Sequence, residues 1–289
     1  MNSTLKLWTQ LGLGTALAGG LLAACGGEAG GEGGAGEAGA APEAATTVGE
    51  GEGGGEGEGG AGEGGAGEGG EGEGGVAVSD AATNPIAYGT ALAVAEAHVV
   101  AARDAYAAGK KDAAAEMFAH PVSEVLLEMD PVFTTLGVTD FKPLFTAGSD
   151  AALAGKPVAE VNKAYDAIIA ALRGAATKAP KSDASPAKVA TGVIADQIER
   201  ASAMYRQLGT NDAYEPYLDG YGFARVAASA FARDGAAIKA EDPAAHARIN
   251  EALTLLGKAY PDATRPAKLP VEAGALSAAS SKVMLATAG

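Results

Sequence analysis

Three histidines, His98, His120 and His246, are the only imidazoles in the chain. His120 and Glu124 stand four residues apart, so on an unbroken helix they share a face. Joined by His98, they form a set of two imidazoles and a carboxylate, the donor type that helical carboxylate-and-histidine proteins use for divalent transition metals. His98, His120 and Glu124 are therefore the candidate metal ligands, and iron or copper the candidate metal. Two patterns speak against the set. His98 lies on the stripe Ala87, Ala91, Val94, His98, Ala101, Ala105, otherwise apolar, which is also how a hydrogen-bonded core histidine looks. Phe118, Val122, Val125 and Met129 form a core stripe, and at about 3.6 residues per turn His120 and Glu124 point the other way. Only a break at Pro121, or burial of both faces, turns them inward. His246 opens the polar run His-Ala-Arg and reads as exposed.

The second unusual stretch is Asn211 to Phe223, Asn-Asp-Ala-Tyr-Glu-Pro-Tyr-Leu-Asp-Gly-Tyr-Gly-Phe. With Tyr205 it holds four of the eight tyrosines. An apolar ring with a polar tip suits a binding surface, so Tyr205, Tyr214, Tyr217, Asp219 and Tyr221 are a candidate surface for an envelope protein partner. The alternative is that these tyrosines pack a joint between helices, with Gly220 and Gly222 allowing a bend. No G-x-S-x-G, H-E-x-x-H or phosphate-cradling loop followed by Lys-Ser/Thr occurs. A hydrolase is thus the least supported reading, and the chain leans away from enzymes. No basic patch points to nucleic acid.

The elements that must position these residues are helices. Asn84-Pro85, Ser185-Pro186 and Asp242-Pro243 each read as an N-cap followed by a first-turn proline. The helices they open run to Gly109, to Gly209 and to about Tyr260, and Pro157 begins another running to about Ala176. The segments 111–136, 140–154, 212–240 and 271–286 also read as helical, with breaks allowed at Pro121 and Gly220–Gly222. Alanine is abundant and β-branched runs are scarce. The expected fold is all-α, an antiparallel bundle of about eight helices joined by short loops. An offset of 99 residues lays Tyr106 on Tyr205, Phe118 on Tyr217, Asp112 on Asn211, His98 on Gln197 and His120 on Asp219, an echo that two related halves would give.

The N-terminus carries an address. Lys6 is followed by an uncharged Leu/Ala/Gly stretch from Leu7 to Ala24, the order of a secretory signal. Gly12, Gly14, Gly19 and Gly20 dilute it below what a spanning helix needs. It closes on Leu22-Ala23-Ala24-Cys25-Gly26, which resembles the lipobox of bacterial lipoproteins. That resemblance implies cleavage after residue 24, a thioether-linked lipid on Cys25 and an N-acyl chain, which together give stable membrane anchoring. It implies a place in the bacterial cell envelope. Gly at position 26 favours the outer membrane, facing the periplasm, in a host with two membranes. Cys25 is the only cysteine, so no intrachain disulfide can form.

Residues 26–75 hold 25 Gly and 12 Glu, with no Lys, Arg or aromatic residue. Such a composition cannot bury enough apolar area to offset its ordering entropy and reads as a disordered spacer, about 40 Å in r.m.s. span. Its glutamates dominate the formal charge of −15, for without them 24 acidic residues face 21 basic ones. The expected organisation is a signal peptide at 1–24, a lipidated cysteine and Gly/Glu-rich tether at 25–75, and a helical body at 76–289. An anchored, acidic-tethered, helical exported body with a His/Glu pair resembles the imelysin-like helical lipoproteins, which are linked to iron handling. The resemblance covers only the layout of the body. That family's Gly-x-His-x-x-Glu motif is absent, since Val99, Val100 and Ala101 follow His98, and Pro121, Val122 and Ser123 follow His120. No residue role carries over from it.

Overall fold

A computed structural model of the chain describes residues 78–210 and 212–287, which fall in one compact unit. The signal peptide, Cys25 and the Gly/Glu-rich tether lie outside the described residues, as does Asn211. Among the described residues there are nine α-helices and no strand: α1 Pro85–Ala107, α2 Lys111–Pro121, α3 Asp130–Leu136, α4 Lys142–Leu153, α5 Val158–Ala176, α6 Pro186–Gln207, α7 Glu215–Glu241, α8 Pro243–Ala259 and α9 Ala273–Thr287. A 3-10 turn at Val78–Asp80 precedes α1. The all-α bundle is therefore observed. It has one helix more than expected because segment 111–136 is split into α2 and α3.

Local chemistry sets the helix starts. The Asn84 side-chain oxygen accepts from the Ile86 and Ala87 N–H groups. The Ser185 hydroxyl accepts from Lys188 N–H, and Asp242 accepts from Ala244 and Ala245. In each case a proline occupies the first turn, where no N–H is missed. Asp242 also ends α7, so one residue turns the chain from α7 into α8. Gly109, with φ of 78°, supplies the left-handed residue that closes the α1 region.

α1 is the axis of the unit. Every residue from Thr90 to Ala102 is buried, as expected of a helix surrounded by others and not of one lying on a surface. α2, α5, α6 and α7 all pack on it, and α6 and α7 pair along their lengths. Seven alanines from Ala91 to Ala105 keep its girth small and let these neighbours approach. The closest approach is at Gly222 of α7, where an added Cβ would lie 2.2 Å from the Ala97 carbonyl oxygen. A glycine is required there by contact. No bend occurs at Gly220–Gly222, contrary to the break the sequence allows; α7 runs through both. Gly220 faces the Tyr260 hydroxyl, which a Cβ would meet at 2.0 Å.

The 99-residue echo pairs positions of like burial. Phe118 and Tyr217 are both fully enclosed, Tyr106 and Tyr205 are both buried, and so are His98 and Gln197. The α1–α2 and α6–α7 hairpins thus put matching positions into the core.

Candidate metal centre

Pro121 decides the site. Lacking an N–H, and with a ring that crowds the preceding turn, a proline at this point cannot continue a regular ladder. The chain passes into a π-helical turn, Val122–Leu126, closed by Leu127 N–H donating to the Val122 carbonyl at 3.1 Å. A π-turn holds an extra residue, so the phase of the helix shifts there. Val125, Leu126 and Met129 stay in the core, while Glu124 is turned toward α1. The phase argument against His120 and Glu124 assumed an unbroken helix, and the break at Pro121 removes it.

The site is built from three stretches. α1 supplies His98, α2 and the π-turn supply His120 and Glu124, and the first turns of α7 supply Glu215 and Asp219. His98 is buried, and its Nδ1 lies 2.8 Å from the Val94 carbonyl oxygen. A carbonyl only accepts, so Nδ1 carries a hydrogen and Nε2 faces the acids. Nε2 stands 3.1 Å from Glu124 Oε2 and 3.4 Å from Asp219 Oδ1. His120 Nδ1 is 3.5 Å from Glu124 Oε1, and its Nε2 is 3.8 Å from Glu215 Oε1. One ligand atom each from His98, His120 and Glu124 can be chosen so that all lie within 4.8 Å of one another. Phe223 stands edge-on to the His98 ring, with centroids 5.7 Å apart, and forms an apolar wall.

Electrostatics bind the group together. Burial alone would lower the His98 pKa, but the hydrogen bond to Glu124 and the charges of Asp219 and Glu124 outweigh it and raise the value to about 9. Burial would raise Glu124, yet the His98 hydrogen bond and the charges of His98 and His120 hold it below the ordinary carboxylate value. Asp219 rises to about 6, chiefly through burial, with Glu124 and Glu215 adding to the effect against the pull of His98 and His120. In the metal-free site a proton on His98 compensates the acids.

That compensation leaves polar atoms over. Asp219 Oδ1 and His120 Nδ1 are both buried with no hydrogen-bond partner. Buried polar atoms are nearly always satisfied, so two such atoms flanking the His98–Glu124 pair, one beside each partner, mark a place where a cation fits. With metal–ligand bonds of about 2.0–2.2 Å, adjacent ligand atoms sit about 3.0–3.5 Å apart. The His98–Glu124, His98–Asp219 and His120–Glu124 contacts, at 3.1, 3.4 and 3.5 Å, fall in that range.

The sequence reading placed Asp219 in a tyrosine-rich surface and missed it as a partner of the histidines. Two signals pointed to it: Glu215 and Asp219 are spaced like His120 and Glu124, and the echo lays His120 on Asp219. The tyrosines themselves do something else. Tyr205 and Tyr217 are fully enclosed and Tyr221 is buried. Tyr205 donates to the Val271 carbonyl at 2.9 Å and accepts from its N–H at 3.0 Å. Tyr217 donates to the Asp262 carbonyl at 2.7 Å, and Tyr214 to that of Ala263. Tyr221 donates to Asp104 Oδ2 at 2.7 Å, tying α7 to α1. In place of the expected surface there is a packed joint, whose hydroxyls satisfy the irregular backbone between α8 and α9. His246 is half-buried against Phe231, with centroids 4.8 Å apart, and takes no part in the site. Among the described residues no hydroxyl side chain is hydrogen-bonded to a histidine ring. No protein-family model, no curated protein and no solved structure matches this chain.

Proposed function

We propose that the protein is a lipid-anchored lipoprotein of the bacterial cell envelope, whose helical body binds a divalent transition metal between α1, the π-turn and α7. The observation that carries the metal reading is the convergence of His98, His120 and Glu124, with ligand atoms within 4.8 Å of one another, beside two buried atoms that lack hydrogen bonds, Asp219 Oδ1 and His120 Nδ1. His98, His120, Glu124 and Asp219 are the ligands, and Glu215, more exposed, stands at the mouth. Two imidazoles with carboxylates and no thiolate suit ferrous iron best, and copper(II) or zinc can compete for such donors. The Val94 carbonyl has the outer role common behind metal-bound histidines, fixing the tautomer so that Nε2 faces the ion.

Calorimetric titration of the purified chain with Fe(II), Cu(II), Zn(II) and Mn(II) tests this. One ion per chain is expected, with affinity lost in the His98→Ala/His120→Ala double variant and weakened in Asp219→Asn. No heat for any of the four, or equal heats in the double variant, defeats the metal reading. The anchoring rests on Lys6, the uncharged 7–24 stretch and Leu22–Cys25. Detergent phase separation of the protein from its host checks it, since unmodified Cys25 would leave the protein in the aqueous phase. The partner-docking reading is not carried forward, because its tyrosine hydroxyls are engaged inside the body.

A further inference from the structure

On the side of α1 away from His98 runs a second concavity. Glu96 is two positions from His98, about 200° around the helix, and it faces a groove bounded by α1, α5, α6, α7 and the loop before α6. The groove has a volume of about 570 Å³, within the size range of small-molecule sites. Its walls are apolar, with Leu92, Leu172, Val193 and Val226 among them. The Tyr88 hydroxyl at its edge is already engaged, donating to the Ala175 carbonyl at 2.8 Å.

The charges around this groove are unequal. Glu96 is held from two sides by Arg173, one contact being 2.7 Å. Asp234 is held by Arg233 at 2.7 Å. Both acids are thus neutralised by their own arginines. Lys181, on the loop at the rim, makes no hydrogen bond or ion pair among the described residues and is exposed. An apolar trough with one uncommitted ammonium at its lip is complementary to a molecule with an apolar body and one negative end. A cationic amphiphile would be repelled by Lys181, and a zwitterionic one would gain less than a monoanion because its own cation lies beside its anion.

We propose that this groove binds an amphipathic monocarboxylate, a medium-chain fatty acid or a molecule shaped like one, with its tail along α1 and α6 and its carboxylate on Lys181. The site is separate from the histidine cluster and does not depend on the metal reading.

The probe is laurate, titrated into the full-length chain at concentrations below its micellar range. One laurate per chain is expected. Loss of a charge-assisted contact together with the new repulsion in Lys181→Glu should weaken binding about tenfold or more. Ser229 is an exposed residue of α7 on the groove, so Ser229→Trp should plug it without disturbing the core and abolish binding. Circular dichroism confirms that both variants are folded. Dodecyltrimethylammonium should not compete with laurate. The proposal is overturned if laurate does not bind, if either substitution leaves its affinity unchanged, or if dodecylphosphocholine binds more tightly. It is overturned also if a peptide of residues 51–75 displaces laurate, for the groove would then belong to the chain's own acidic segment.

Discussion

The histidine corner and the tyrosine joint are both polar clusters buried beside α7, yet they balance their polar atoms in opposite ways. In the joint each hydroxyl has a backbone carbonyl: Tyr205 with Val271, Tyr217 with Asp262, Tyr214 with Ala263, and Tyr260 with Ala201. In the corner, two imidazoles face three carboxylates, and Asp219 Oδ1 and His120 Nδ1 lie in ion-pair range of a neighbour but accept or donate no hydrogen bond. A cluster that closes on itself is architecture. A cluster with atoms left over has room for a further species. Residue types alone do not separate the two, because tyrosine and histidine both serve in sites and in cores.

Four substitutions or conditions press on that contrast. The largest effect is expected from Gly222→Val, which drives a side chain into the Ala97 carbonyl and separates α7 from α1. It should cost about 3 kcal/mol or more in denaturant unfolding, and should remove metal binding as well, since Asp219 is carried by the same helix. Next comes His98→Ala/His120→Ala. Metal affinity should fall about a hundredfold or more, equivalent to about 2.7 kcal/mol, while far-ultraviolet circular dichroism keeps its helical form. Tyr217→Phe should cost about 1 kcal/mol, the worth of one buried hydrogen bond, and leave metal affinity unchanged. If that variant lost metal binding, the division between corner and joint would fail.

The smallest effect is on pH dependence. The His98 pKa is about 9 in the fold against an ordinary 6.5, so its stabilisation is complete below about pH 6.5 and lost as the pH rises through 9. Asp219 is raised to about 6 from 3.8, so its contribution too is present at low pH and lost as the pH rises through 6. In the presence of EDTA the thermal midpoint should therefore decline between pH 7 and 9.5, and His98→Gln should flatten that limb. On the proposed reading a divalent metal would take over the role of the His98 proton, so the decline should shrink when metal is added.

The helix starts were legible because capping is local. Asn84, Ser185 and Asp242 each act on N–H groups two or three residues away. The candidate ligands His98, His120 and Glu124 were legible as residue types but not as a geometry. Extrapolating helical phase across Pro121 assumed a constant turn, and the π-turn at Val122–Leu126 breaks that assumption. The spacing of Glu215 and Asp219 and the echo hinted at Asp219, but joining it to the histidines required the helix contact at Gly222, more than a hundred residues from His98. The tyrosines misled for a related reason. The carbonyls they serve lie in 262–271, and nothing in residues 205–221 announces an irregular strand of backbone so far along the chain.

The complete enclosure of α1 between Thr90 and Ala102 has a mechanical side. A helix gripped around its whole perimeter can neither roll nor slide without disturbing close packing on every flank. His98 is thereby a fixed jaw, anchored to a rod enclosed on every side. If an ion enters as proposed, the adjustment it demands would be made opposite His98, by Glu124 on its widened turn and by the opening turns of α7.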